Sequence, residues 1–427
     1  MPEKNPADVR DLTAKMAVRL MQQGSLRPAT LMDAYLDHIA GRDPSVLAFA
    51  YFDPAAARAA AASAKPGPLH GLPIGVKDVL DTADMPSQYG SPIWSHHRPR
   101  ADSAPVAWAR AAGGVVIGKT VTTEFATRHP GATKNPVNPA HTPGGSSSGS
   151  AAGVAAGLFP LAYGTQTAGS VIRPAAYCGV VGYKPTFGLI SRMGMKIMAD
   201  SLDTVGVLAR TVADCALFAG AVSGRDLGDP DTKPARVPRI GLCRSPTWPV
   251  AAPETQALLE RVGTALGRAG ASVSPRELPD SYADLIEAHP IIMNAESARS
   301  LGWELAHHAD RISESLRERL AFGLGQTEAA LDRAYAAFAR TQAGFPDAMD
   351  GLDVLVTPSA PGEAPKGLGW TGDPAFNFIW TSLHVPCVTV PAGTGPNGLP
   401  LGIQIVGRHG EDRAVLAWAR WVEAALG

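Results

Sequence analysis

The stretch GGSSSGSAAGVAAGLFPLAYGTQTAGSVIRP, residues 144–174, is the one the rest of the chain is arranged around. It carries two serine-bearing glycine clusters, GGSSSGS at 144–150 and GTQTAGS at 164–170. Between them, the small-residue segment 151–163 reads as a buried helix or helix–strand unit. Glycines let a backbone approach closely and turn its N–H groups inward, so the pair suits either a phosphate or a nucleophile beside an oxyanion hole. A phosphate-binding P-loop needs G-x-x-x-x-G-K-[ST], and neither cluster has the lysine. Residues 145–149 formally contain G-x-S-x-G, but a nucleophile elbow follows an apolar strand and this one follows NPAHTPG. No serine stands three residues before a lysine, so the S-x-x-K arrangement is absent. Apolar flanks and the lack of a low-complexity repeat argue against a flexible linker.

Working outward, GPLHGLPIGVKDVLDT at 67–82 alternates like a strand, with Leu72, Ile74 and Val76 on one face and Pro73, Gly75 and Lys77 on the other. Lys77 therefore ends a short strand among small residues, next to Asp78. Residues 105–120 read as a helix running into a buried strand at 115–119, and 124–145 as a long proline-bearing loop that delivers the chain to the first serine cluster. Upstream, residues 7–41 form a helical pair and 54–65 an alanine-rich helix. Downstream come a strand at 238–244, a helix at 253–270 and a strand at 271–273. A mainly helical region at 282–349 follows, then strands at 353–357 and 399–407 flanking a helix end and strand at 379–390, and a closing helix at 412–426. Trp380 and His384 are expected on the pocket wall. His307 and His308 are adjacent on a helix and point in different directions, so they read as surface or core residues rather than metal ligands. Glu314 and Glu318 read as a solvated face.

The 427 residues carry a net charge of −1 with no long run of one sign, so neither nucleic acid nor a membrane surface is an expected partner. No apolar run reaches the length of a membrane span, and the first residues lack a signal-peptide core. Cys178, Cys215, Cys243 and Cys387 are far apart and form no CxxC pair, which reads as buried thiols in a reducing compartment. The expectation is a cytoplasmic α/β enzyme with no metal or organic cofactor.

The ordered blocks GLPIGVKD (71–78), GKTVTTEFA (118–126), NPVNPAHTPGGSSSGSAAG (135–153), GTQTAGSVIRPAAYCGVVGYKPTFG (164–188), DTVGVLARTVAD (203–214), VTPSAP (356–361) and the run from 386 to 407 resemble the amidase signature family, in its malonamidase-like branch. The resemblance implies a single domain over 1–427, with one large mixed β-sheet covered by helices on both faces. Residues 1–65 would be its helical N-terminal part and 282–350 a divergent helical part walling the substrate pocket. It implies a Ser-cisSer-Lys triad with Ser170 as nucleophile, Ser146 as bridging serine on a cis peptide and Lys77 as base. Thr167, Ala168, Gly169 and Ser170 would present the oxyanion hole, and Arg173, Gly145 and Ser147 would contact the substrate, with Ser147 and Ser148 also donating supporting hydrogen bonds. A homodimer is expected from the resemblance alone.

Physical chemistry sets a condition on those roles. A serine hydroxyl needs a neighbour to remove its proton, and a lysine at its usual pKa of about 10.4 is neutral in only about one molecule in a few thousand at pH 7. Burial must lower it. Two departures from the commoner family pattern GTDxGGS stand out: Gln166 replaces an aspartate and Ala168 a glycine, the latter admissible only at negative φ. Arg173, three residues after Ser170, suits a bidentate hold on a substrate carboxylate or a structural contact within its loop. The expected reaction is hydrolysis of a small, carboxylate-bearing amide with release of ammonia or an amine. Two other readings remain: the glutaminase component of a complex that amidates a charged transfer RNA, which would need an accessory subunit, and a non-catalytic relative serving as a binding subunit.

Overall fold

The computed structural model describes residues 8–427, so residue 7 of the expected N-terminal helical pair lies outside the described residues. Eleven strands form one sheet: β1 (Phe49–Phe52), β2 (Pro73–Lys77), β3 (Val115–Thr120), β4 (Leu161–Gln166), β5 (Val181–Lys184), β6 (Thr204–Ala209), β7 (Arg239–Cys243), β8 (Ser272–Arg276), β9 (Val354–Pro358), β10 (Cys387–Thr394) and β11 (Pro400–Val406). Their order is β1-β3-β2-β4-β6-β5-β10-β11-β9-β7-β8. The β3-β2-β4 and β9-β7-β8 groups are parallel, and the strands between them are antiparallel. The sheet is mixed, as the sequence predicts.

Every residue of β2, β3, β4 and β6 is buried. Strands covered on both faces lose the in–out alternation and read as apolar runs. At the edge, β8 is mostly exposed. The sequence reading gives β1, β5 and β6 no strand. The first two are four residues long, too short for a periodicity signal, and GVLA inside DTVGVLARTVAD matches a buried helix as well as a strand. The helices at Ala14–Gln22 and Pro28–Val46 fall within the expected N-terminal region. The region after β8 is helical at Asp284–Ser300, Gly302–His308, Glu314–Leu324 and Glu328–Ala348.

β2 and β4 are parallel neighbours, so both end at the same edge of the sheet. Lys77 is the last residue of β2, and Gln166 the last of β4. The two serine clusters lead into helices Ser148–Ala155 and Ile172–Cys178, which begin at that edge. Residue 149 explains the small-residue run: a Cβ on Gly149 would lie 2.2 Å from the Ala48 carbonyl oxygen and 2.4 Å from the Val121 nitrogen. The helix sits so close to its neighbours that no side chain fits there. All four cysteines are buried and unpaired. Among the described residues no helix is long and apolar enough to cross a membrane, and no group of His, Cys, Asp and Glu is placed to hold a metal ion.

Candidate active site

Lys77 is fully buried at the end of β2. Its Nζ lies 2.7 Å from both Ser146 Oγ and Thr165 Oγ1, and 3.3 Å from the Thr165 carbonyl oxygen. Burial drives the Lys77 amine well below its usual range, opposed by the charge of Asp203. Ser146 follows a cis peptide bond from Gly145. The two serine clusters touch directly, since the Ser147 N–H reaches the Ser170 carbonyl at 3.4 Å.

The hydroxyls beside Ser146 are tied to the framework. Ser147 Oγ donates to the Thr165 carbonyl at 3.3 Å and accepts from the Thr165 N–H at 3.2 Å. Ser148 Oγ donates to the Val121 carbonyl at 3.2 Å. Both hydroxyls are thus engaged by the framework around the first cluster. Fully buried, Ser147 fastens the first cluster to β4. The Gly145 carbonyl accepts from Arg173 Nη2 at 2.7 Å.

The turn between β4 and the helix at Ile172–Cys178 is held from three sides. Gln166 Oε1 accepts from the N–H groups of Val171 (2.9 Å) and Ile172 (3.0 Å), and its amide donates to Thr381 Oγ1 at 3.0 Å. A glutamine at this position thus supplies the acceptor that the helix start requires without burying a charge. Thr381 Oγ1 donates onward to the Ala168 carbonyl at 2.8 Å. Thr167 Oγ1 donates to Asp203 at 2.5 Å, and the same carboxylate accepts from the N–H groups of Met198 (2.7 Å) and Ala199 (3.2 Å). Burial pushes Asp203 up to about 6 against those hydrogen bonds. The third hold is His289 Nε2, 2.9 Å from the Thr167 carbonyl. A carbonyl can only accept, so Nε2 carries the proton, and burial lowers this histidine to about 4, which keeps it neutral. Ala168 stays out of the left-handed region, which meets the condition set by its sequence. Among the described residues the N–H groups of Ala168, Gly169 and Ser170 donate to no protein acceptor.

Ser170 opens into a cleft of about 190 Å³. One side comes from this turn, another from the loop after β3 through Ala126 and Arg128. The helical region contributes His289, Met293 and Arg319, and the segment before Phe378 contributes Thr371 and Asp373. Arg173 is buried at the base. Among the described residues it bonds to the Gly145 carbonyl and, at 3.4 Å, to Thr371 Oγ1, and Nε and Nη1 have no hydrogen-bond partner. Burial brings its guanidinium down to about 10. Trp380 and His384, expected on the wall, are elsewhere. Trp380 is fully buried with Phe345 and Leu383 in the apolar cluster behind the wall, and His384 stacks on Phe187. Phe378, near the start of the same short helix, takes the wall position.

Sequence reading misses Thr165, Asp203, His289, Arg128 and Arg319. Thr165 is within its reach, lying inside the quoted nucleophile block one residue before the end of β4. The others come from segments brought together only by folding.

The family model described as Amidase matches residues 30–416. Over 462 aligned residues the chain is 32% identical to a glutamyl-tRNA(Gln) amidotransferase subunit of Roseiflexus castenholzii, covering 95% of this chain and 94% of that one. It is also 32% identical, over 454 residues, to a 2-amino-5-chloromuconic acid deaminase of Comamonas testosteroni, covering 97% and 96%. A solved structure described as an amidase superimposes with a TM-score of 0.88 at 30% identity, over 97% of this chain and all of the other. With its family model spanning nearly the whole sequence and its sheet matching solved amidases, this chain belongs to the amidase signature family of enzymes that act on amide C–N bonds.

Proposed function

We propose that the protein is a serine amidase that hydrolyses a small amide bearing a carboxylate, through an acyl-enzyme on Ser170. The observation that carries the reading is the buried contact of Lys77 Nζ with Ser146 Oγ at 2.7 Å, in the cluster that touches Ser170. A neutral amine has two N–H bonds and one lone pair. With Thr165 Oγ1 and the Thr165 carbonyl receiving the two N–H groups, the lone pair is left for the Ser146 hydroxyl.

In this mechanism Lys77 takes the proton of Ser146 while Ser146 takes that of Ser170, and Ser170 Oγ attacks the amide carbonyl. The negative charge that develops on the carbonyl oxygen is received by N–H groups of the turn at 167–170, each such donor contributing roughly 2.7–4 kcal/mol. That Ala168, Gly169 and Ser170 donate to no protein group supports their place in this role. The proton returns through the same relay to the departing nitrogen, and ammonia or an amine leaves. Water then gives up a proton along the relay and attacks the ester, releasing the acid and restoring Ser170. Arg173, with two nitrogens unpartnered at the base of the cleft, receives the substrate carboxylate.

The test is ammonia release from malonamate, neutral short amides, aryl amides, ureas and glutamine, with Ser170→Ala as the blank. Turnover confined to acidic amides supports both the triad and the clamp; equal turnover of neutral amides removes the clamp. A second reading, favoured by the likeness to a tRNA-dependent amidotransferase component, is a glutaminase that works within a complex. Glutamine turnover that appears only when a partner protein is added would establish it.

A further inference from the structure

Three guanidiniums line the cleft in front of Ser170, those of Arg128, Arg173 and Arg319, against the single carboxylate of Asp373. None of the three is ion-paired among the described residues. Arg173 stands at the base, 5% exposed, with two nitrogens unpartnered. Arg319 comes from helix Glu314–Leu324 and is held in place from helix Asp284–Ser300 by neutral atoms: Nε donates to Asn294 Oδ1 at 3.0 Å, and Nη2 lies 3.7 Å from Met293 Sδ. Such partners orient the fork without cancelling its charge. Arg128 is exposed at the mouth on the loop after β3; burial lowers the guanidiniums of both Arg173 and Arg319, and the Arg128 charge adds to that effect. His289, also on the wall, is neutral and contributes no compensating charge.

Like charges held close together without counter-ions are unfavourable in a partly desolvated cleft, and an anionic ligand relieves them. One carboxylate is fully engaged by one or two guanidinium forks, so three exceed what a single acid group uses. The cleft, about 190 Å³, is of a size for one small molecule that carries both acid groups.

We infer that the substrate carries two acid groups, the first held by Arg173 beside the scissile amide and the second by Arg319 and Arg128 at the helical wall. This rests on the reading of the cleft as the amide site and names the substrate class more closely: an amide with two carboxylates. Arg319 and Arg128 are specificity-determining residues and take no part in the proton relay.

The experiment uses the full chain as Ser170→Ala, which separates binding from turnover, and three nested probes: malonamide, with no carboxylate; malonamate, with one; and 2-carbamoylbutanedioate, with two. Calorimetry at low salt is expected to show the two-carboxylate probe binding at least about tenfold more tightly than malonamate, as one charge-assisted contact implies. Adding Arg319→Gln is expected to cut that advantage below threefold, and Arg128→Gln to reduce it in part, the diacid losing more affinity than malonamate in each case. Arg128 is exposed, so its variant folds and keeps the test open if Arg319→Gln does not. Equal affinity for the two acids, no measurable binding of the diacid, or an advantage that survives both substitutions would overturn the inference. So would tighter binding of glutamine, whose ammonium and carboxylate would engage Asp373 and Arg319 together. Fluorophosphonate labelling of Ser170 in the unmodified chain checks the amidase reading separately. Labelling without diacid preference sinks only the second acid site, and diacid preference without labelling sinks only the mechanism.

Discussion

The turn region around the two serine clusters and the helical wall that faces it are built on opposite principles. At the turns polar side chains are buried and most are matched: Lys77 has Ser146 and Thr165, Gln166 has two N–H groups and Thr381, and Asp203 has Thr167 and two N–H groups. Across the cleft, among the described residues, the charges of Arg319 and Arg128 have no counter-ion. Matched groups in a low-dielectric interior fix one geometry, and charge without a counter-ion is a demand that a ligand fills. The contrast teaches that chemistry and selection are carried by different parts of the chain, with Arg173 at the seam between them.

The largest break of that division is expected from Ser170→Ala, which should abolish ammonia release by about 10⁶-fold, as for other activated serines, while leaving the thermal midpoint unchanged. Loss of fold together with activity would deny the turn region its purely chemical part. Next, Lys77→Met should lower kcat by about 10²- to 10⁴-fold, the usual worth of a general base. The protein should become no less stable, because a buried amine is replaced by an apolar chain of similar length. The pH dependence follows from the lowered amine. Below its folded pKa the base is protonated, so kcat/KM should fall tenfold per pH unit on the acid side. Between that pKa and the ordinary value near 10.4 the unfolded chain binds the extra proton, so wild-type stability should rise with pH relative to Lys77→Met across this window. A difference between the two proteins that is flat in urea melts at several pH values would show that Lys77 is not held neutral.

A smaller effect is expected at Gly169, where a Cβ would sit 2.4 Å from Asn377 Oδ1. Gly169→Ala must push the turn or Asn377 aside, costing about 1–3 kcal/mol of stability. If the turn at 167–170 receives the oxyanion, kcat should drop about 10²- to 10³-fold while KM changes little. A rise in KM alone would move Gly169 to the selecting side of the comparison. Smallest is Arg173→Gln, expected to raise KM for malonamate about 10- to 100-fold through the loss of a charged hydrogen bond, with malonamide turnover unaffected. Equal effects on both substrates would make Arg173 a prop for the Gly145 carbonyl rather than a clamp.

Legibility in the sequence follows the same divide. Strand β2 and the two serine clusters can be read because closely packed glycines and serines leave a local signature, as at Gly149, where only a glycine fits. The helical wall offers periodicity but no direction: nothing in ESLRERL says that Arg319 faces inward while Arg317 is exposed. Trp380 shows the error this produces. As a large aromatic near the last strands it suits the pocket wall, yet it is fully buried in the apolar cluster behind the wall, while Phe378, two residues earlier and packed against that cluster, lines the cleft. A shift of two positions along a helix turns a side chain through more than half a revolution.

By itself, then, the sequence determined the α/β class and, through the resemblance of its contiguous blocks to the amidase signature family, pointed to the mixed sheet and the candidate trio Lys77, Ser146 and Ser170. Only the tertiary structure decided that Thr165 shares Lys77 with Ser146, that Asp203 and His289 hold the Thr167 turn from two sides, and that three arginines face one cleft. Those contacts join segments as much as 122 residues apart in the chain. The direction of each side chain there is set by the packing of whole helices against the sheet, which no local stretch of sequence contains.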